Sequence, residues 1–245
     1  MAGQVALVTG AGRGIGQAIA RRLADAGYYI LACDRKADLA AQTISEIGPH
    51  HGQAVELDVT DRAAVGAAVS AAVAELGGLH LVVNNAMWIR YAPLAQITET
   101  DVDRMMDVGV KGPLWMAQAV HEPMRRQGGG SIINIASVAA LLSTPNAAVY
   151  SAVKGALISL TRQLAGDLGG DNIRVNAIAP GTIETLGARR AMSDEARAYR
   201  LQRAPLGRLG TPGDIAEAVL YLGGPASPFV TGQVLTVDGG ITASM

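Results

Sequence analysis

The chain has 245 residues, of which 49% are apolar and only 17% charged, and its formal net charge is −1. That balance excludes a disordered or fibrous chain and suits a fold with a thoroughly buried central sheet. Basic and acidic residues are interspersed, so neither a nucleic-acid face nor an anionic-membrane anchor is expected, and the single cysteine, Cys33, excludes an internal disulfide and suits a reducing compartment.

The opening MAGQVALVTG has no charged n-region and becomes glycine-rich too early for a signal peptide. No apolar run is long enough to span a bilayer, so a soluble, cytoplasmic protein is expected. Strands are predicted at 4–9, 28–33, 53–59, 79–85, 131–137 and 173–180, and again in QVLTVDG near the end. Their near-continuous, β-branched hydrophobicity predicts burial on both faces. Between them, GIGQAIARRLADAG, RAAVGAAVSAAVAELG and YSAVKGALISLTRQLAGDLG repeat apolar residues at helical spacing. The alternation predicts βαβ units, right-handed crossovers and a parallel sheet in one domain spanning 1–245. A longer irregular segment follows the sixth strand, about 181–210.

The first strand runs through TGAGRGIG, residues 9–16, straight into a helix. Glycines at 10, 12, 14 and 16 permit a tight turn and close approach to a bulky anion, and the helix start offers free N–H groups and its positive dipole end. Taken alone, such a loop is also consistent with a plain tight turn. The second strand ends near Asp34, eighteen residues beyond Gly16, where a carboxylate suits the ribose hydroxyls of a dinucleotide. It would repel a ribose 2′-phosphate by on the order of 4 kcal/mol at contact distance and an effective dielectric near 20. NAD is therefore favoured, with NADP kept as the alternative because Arg13 and Arg35 are near. The alternative reading of Asp34 is a strand-end turn residue paired with Arg35. Asp58 suits either an adenine amino group or a helix N-cap, a role that Thr60 or Asp61 can also fill.

YSAVK, residues 150–154, sets Tyr150 and Lys154 one helical turn apart on one face. Tyrosine titrates near pH 10, so action as a base near neutrality requires a fall of roughly 2–3 pH units, which an adjacent ammonium would supply and the positive ring of a bound nicotinamide would increase. Ser137, closing the fifth strand, would donate a hydrogen bond to a substrate oxygen at the carboxyl end of the sheet. His50, His51, His80 and His121 have no ligand-spaced partners, so no metal site is expected.

As a set, TGAGRGIG (9–16), LDV (57–59), NNA (84–86), Ser137, YSAVK (150–154), VNAIAPGTIET (175–185) and TGQVLTVDGG (231–240) resemble the short-chain dehydrogenase/reductase family over essentially the whole chain. The resemblance implies an α/β, Rossmann-type, doubly wound seven-stranded parallel sheet in the order 3-2-1-4-5-6-7, with helices on both faces. It implies hydride transfer between NAD(P) and an alcohol/carbonyl pair, with Tyr150 as general acid/base, Lys154 on the nicotinamide ribose and Ser137 on the substrate oxygen. Gly10, Gly12, Arg13, Gly14, Ile15, Gly16, Asp34, Asp58, Val59, Asn85, Ala86, Tyr150, Lys154, Pro180, Gly181, Ile183 and Thr185 would bind the cofactor. Ile183 and Thr185 would hold the carboxamide. A homotetramer is implied too, built partly on the helix with Tyr150, where Ala152, Gly155, Ala156 and Ser159 are small enough for close approach.

Two positions depart from the family pattern. DVGVKG carries Gly109 where an asparagine usually holds a water on the path from the lysine to solvent. Water is expected to fill that space, with activity reduced; a catalytically weakened nucleotide-binding protein is the alternative of another class. NNAM carries Met87 where glycine is usual, which would reshape the substrate entrance. The pocket wall is expected to include Met87, Trp88, Ala139, Leu141, Leu142, Ala147, Leu186 and Met192. Those apolar residues favour a neutral, hydrophobic ketone or secondary alcohol, with an NADPH-dependent carbonyl or 3-oxoacyl reductase as the second reading. Arg189, Arg190, Arg197 and Arg200 are expected on a solvated face of a substrate-binding lid, with a carboxylate-bearing or acyl-carrier substrate as the alternative reading of these charges.

Overall fold

The computed structural model describes residues 3–244, apart from the side chains of residues 190 and 191. Strands β1 (Val5–Thr9), β2 (Tyr29–Asp34), β3 (Gly52–Glu56), β4 (Leu81–Asn84), β5 (Gly130–Ile135), β6 (Ile173–Pro180) and β7 (Val234–Val237) form one sheet. Its order is β3-β2-β1-β4-β5-β6-β7 and every pairing is parallel, which is the expected doubly wound architecture.

Alternate residues of each strand point to opposite faces, and both faces are covered. On one, Val8, Ile30, Val83 and Ile178 pack with Ile19 and Leu23 of α1 (Gly14–Asp25), Ile44 of α2 (Ala37–Ile47) and Val219 of a helix near the C-terminus, Pro212–Gly223. On the other, Leu7, Leu31, Val82, Ile132 and Val175 pack with Val65 and Val69 of α3 (Arg62–Leu76) and with the longer helices that follow β4 and β5. Of the helices that follow β4 and β5, the short α4 (Glu99–Met106) puts Met105 into the cluster around Tyr150 instead, and the longer two on this face are α5 (Gly112–Arg126) and α6 (Ala148–Leu168). A π-helical turn, Asp107–Lys111, joins α4 to α5. This double coverage is why the strands read as near-continuous apolar runs.

Three details differ from the sequence reading. The third strand stops at Glu56 rather than 59, because Asp58 turns its side chain back to accept from Thr60 N at 2.9 Å and Thr60 Oγ1 at 2.7 Å. Ser137 lies beyond β5, which ends at Ile135. The segment 181–210 is not irregular: it contains α7 (Leu186–Ala191) and α8 (Asp194–Gln202). Thr185 accepts from Ala188 N and Ser193 from Ala196 N, so each short helix starts on a hydroxyl cap. The remaining helix, Pro212–Gly223, is α9.

A buried polar chain sets the seat of α6 on the sheet. Asn84 Nδ2 of β4 donates to Asn134 Oδ1 of β5 at 2.8 Å, Asn134 Nδ2 donates to Thr161 Oγ1 at 2.9 Å, and Thr161 Oγ1 donates to Leu157 O at 2.8 Å. Asn134 and Thr161 are fully buried, so each unmade bond would leave a desolvated polar atom. Asn134→Leu is expected to lower stability by about 2–3 kcal/mol, and Thr161→Val, which keeps the Asn84–Asn134 bond, by about 1 kcal/mol. Denaturant midpoints at constant m-value check both, and equal losses would mean the chain does not act as a unit.

Candidate active site

The sheet order reverses between β1 and β4, and a crevice opens at the carboxyl ends of these strands, the general ligand position in open α/β sheets. Here it is a cleft of ≈ 1520 Å³ running from Asp34 and Arg35 at one end to Ser137, Tyr150 and Lys154 at the other. Its floor is a clamp between the two strand ends. Asn85 N and Ala86 N donate to Thr9 Oγ1 at 3.0 and 3.1 Å, and Asn85 Nδ2 donates to Thr9 O and Gly10 O at 2.9 and 3.1 Å. Thr9 was not singled out in the sequence, where its hydroxyl looked like ordinary strand content.

The glycine loop is shaped more by the protein than by its cavity. A Cβ at Gly16 would overlap the Gly10 carbonyl oxygen and stand 2.5 Å from Asn85 Nδ2, and one at Gly12 would stand 2.5 Å from Leu39 Cβ. Gly12 and Gly16 therefore do not line the cleft, contrary to the reading of all four glycines as cofactor contacts; they let the loop pack. Gly10, Arg13, Gly14 and Ile15 do line it. Gly14 has φ +60° with nothing nearer to its Cβ site than Thr185 Cγ2 at 3.4 Å. No side chain caps the start of α1, so its first-turn N–H groups and dipole remain available to an anion. Asp34 neither caps nor pairs with Arg35. Its Oδ2 accepts from Gly12 N and its Oδ1 from Lys36 N, both at 3.1 Å, which holds the loop and keeps the carboxylate at the cleft edge. Asp58, Val59, Asn85, Ala86, Pro180, Gly181, Ile183 and Thr185 also line the cleft, and Asp61 rather than Asp58 caps α3. These donors, the open loop and the carboxylate fit a nicotinamide dinucleotide.

Ser137 starts a short 3₁₀ turn and accepts from Ala139 N at 3.1 Å. The Tyr150 phenol shares a hydrogen bond with Ser137. Lys154 Nζ donates to Ile135 O at 2.7 Å and lies 5.8 Å from the Tyr150 ring centroid. The neighbouring ammonium does not by itself acidify Tyr150. Burial pushes its phenol up to about 12, Tyr91 reinforces the rise, and Ser137 only partly opposes it. Burial pulls Lys154 down to about 8. The reason is geometric: the ammonium is committed to the Ile135 carbonyl, and both groups sit where desolvation outweighs their attraction.

The space beside Gly109 is not open either, which corrects the expectation of water there. Gly109 is buried in the π-helical turn, where a Cβ would overlap Val153 Cγ1 and stand 2.9 Å from Met87 Sδ. Met87 packs in the cluster of Tyr150, Val153, Met105 and Ala147. The two departures from the family pattern are thus complementary, a long flexible side chain against a missing one.

Met87, Trp88, Ala139, Leu142, Leu186 and Met192 line the cleft, but Leu141 and Ala147 do not. Leu141 turns to solvent, and Ala147 is buried beneath Tyr150 in its cluster. The lid arginines separate as well. Arg189 and Arg197 pair with Glu184, Arg200 lines the cleft, and the Arg190 side chain lies outside the described residues. Among the described residues no group of three or more His, Cys, Asp or Glu is arranged to hold a metal, and no helix is long and apolar enough to cross a membrane.

A family model described as Enoyl-(Acyl carrier protein) reductase matches residues 10–242. A 2-(S)-hydroxypropyl-CoM dehydrogenase from Xanthobacter autotrophicus is 38% identical, covering 98% of this chain and 97% of its own. The 3-oxoacyl-[acyl-carrier-protein] reductase of Thermotoga maritima is 37% identical over 98% of each. Among solved structures, 7α-hydroxysteroid dehydrogenase complexed with NADH and 7-oxo glycochenodeoxycholic acid superimposes with a TM-score of 0.93 at 38% identity, covering 98% of this chain and 94% of that one. Likeness that extends over the whole chain, from the glycine loop through the Tyr150 helix to the last strand, shows that the protein belongs to the short-chain dehydrogenase/reductase family and is an oxidoreductase acting on CH–OH groups with NAD or NADP.

Proposed function

We propose that this enzyme uses NAD(H) to interconvert a secondary alcohol and a ketone with a hydrophobic body, and that Tyr150 moves the proton. The observation that carries the proposal is the burial of Tyr150 beside Ser137 and Lys154 in the cleft that begins at Asp34 and the glycine loop. The nicotinamide, bound near Pro180, Gly181, Ile183 and Thr185, supplies or accepts the hydride. Asn85 and Ala86 line that end, and Asp34 receives the adenosine ribose hydroxyls. The Ser137 hydroxyl holds the substrate oxygen against the Tyr150 phenol. In the reducing direction the phenol donates its proton to that oxygen, and a phenol held near 12 is fully protonated at neutral pH. The Lys154 ammonium then steadies the negative charge left on the tyrosine oxygen. Alcohol oxidation needs the opposite state, a phenolate, which this burial opposes.

NADP is the alternative, since Arg13 and Arg35 line the cleft with Asp34. The Asp34 carboxylate is held in place by two backbone N–H groups, so a 2′-phosphate would meet a fixed negative charge. NADH is expected to exceed NADPH at least tenfold in kcat/KM, with Asp34→Asn narrowing the gap. Parity between the two in the native enzyme would reverse the assignment.

The proton assignment makes a pH-dependent claim. Lys154 carries its charge below about 8 and loses it above, whereas Tyr150 stays protonated throughout that range. Ketone reduction should therefore fall in kcat/KM as pH rises through about 8, and Lys154→Met should abolish that limb. Tyr150→Phe should lower reduction by about 10²–10⁴-fold while NADH binding, read by fluorescence titration, persists. Retained turnover in Tyr150→Phe would remove Tyr150 from the proton transfer.

Met87 and Gly109 offer a separate check on the weakened-enzyme alternative. Gly109→Asn alone would overpack against Met87 and Val153, at a cost of about 1–3 kcal/mol, and should lower both stability and turnover. Adding Met87→Gly should restore part of the stability, a coupling that a thermal double-mutant cycle measures. Additive losses would mean the two sites are independent.

A further inference from the structure

Arg200 of the lid lines the cleft and forms no ion pair among the described residues. Of the lid arginines, Arg189 and Arg197 are both engaged by Glu184, and Arg203 lies against Tyr199, donating to its phenol at 2.6 Å with the guanidinium over the ring. Arg200, in the last turn of α8, is half-buried. Its Nη1 donates to Thr182 Oγ1 at 3.4 Å, a long bond. Thr182 directly follows the Pro180–Gly181 turn at the nicotinamide end.

Tyr91, half-exposed, lines the same cleft and feels the Arg200 charge. Partial desolvation raises the Tyr91 phenol, and the Arg200 charge pulls it back down. Tyr91 in turn meets the Tyr150 ring edge-on, with centroids 5.6 Å apart. Tyr150, Tyr91 and the Arg200 guanidinium thus line one cleft, with the two rings in contact and the Arg200 charge acting on Tyr91. The remaining wall at this end is apolar at Trp88, Leu142, Leu186 and Met192. A charged, half-buried group without an ion-pair partner among the described residues, one ring beyond the reacting centre, is costly to keep there without a ligand.

We infer that Arg200, together with the Tyr91 phenol, is an anion-binding subsite, and that the substrate is a ketone or secondary alcohol carrying a terminal carboxylate or similar oxyanion on an apolar body. This takes the carboxylate-bearing alternative over the neutral substrate and names the residues that would hold it, and it rests on the oxidoreductase reading above. A guanidinium offers two parallel N–H donors to an oxyanion, and the phenol adds a third donor. Because Arg200 belongs to the helix that covers the cleft, an anion held there also fastens α8 over the reacting carbonyl, so binding far from the chemistry helps to close the site around it.

Two measurements test the subsite separately from turnover. In calorimetry on the full chain with NADH present, octanoate should bind saturably and octanamide at least tenfold more weakly, and Arg200→Gln should weaken octanoate at least tenfold. In kinetics, straight-chain keto acids of increasing length should exceed their methyl esters in kcat/KM by tenfold or more at the best length. Arg200→Gln should collapse that ratio toward one, chiefly through KM, and Arg189→Gln, whose guanidinium Glu184 already holds, should leave it standing. Equal binding of octanoate by native and Arg200→Gln protein, or equal use of acids and esters by the native enzyme, overturns the proposal. Arg200-dependent octanoate binding with no ketone turned over would leave the subsite standing and remove the oxidoreductase reading instead.

Discussion

The working end of this enzyme depends on how α6 is fixed to β5. Two adjacent residues of the strand do it: Asn134 through its amide to Thr161, and Ile135 through its carbonyl to the Lys154 ammonium. Both contacts are buried, so neither competes with water, and each is costly to leave unmade. Together they set the rotation and height of a 21-residue helix. Tyr150 follows from that, because it lies one turn before Lys154 on the same face. Burial of both groups outweighs the attraction between them, which explains why an adjacent cation and a raised phenol coexist.

The opposite end of the cleft is held by a different logic. There the backbone is bound to itself through Thr9, Asn85 and Asp34, and the glycines serve mainly to let these contacts close. A loop built this way is already shaped before any ligand arrives, so little ordering entropy remains to be lost on binding. The uncapped start of α1 is the complement of this rigidity: the loop leaves its first N–H groups without protein partners at the place where an anion would be held.

Between the two ends, the structure joins two sequence peculiarities that looked unrelated. Met87 and Gly109 are 22 residues apart in the chain and come from different elements, yet the thioether stands where a larger residue at 109 would have to go. A methionine is suited to this because it is unbranched and fills irregular space. The result is a drier, more apolar surrounding for Tyr150 than a polar side chain at 109 would make.

Much of this was legible in the chain itself. Strand periodicity, the glycine loop ahead of a helix and the YSAVK spacing are local patterns. A parallel sheet, a nucleotide cleft and the Tyr150–Lys154 pair follow from them, because a period of two or of 3.6 residues is a property of consecutive residues; the strand order came only with the family resemblance. What tertiary structure alone decided are the contacts between distant segments. These include which glycines face the cleft, that Ala147 and Leu141 leave the pocket, and that the 181–210 segment folds into two capped helices. They also include the direction of the Tyr150 and Lys154 shifts, the filling of the Gly109 space, and the turn of Arg200 into the cleft without an ion pair among the described residues. Each depends on desolvation or close packing set by neighbours far away in sequence, and no local pattern of residues encodes the identity of those neighbours.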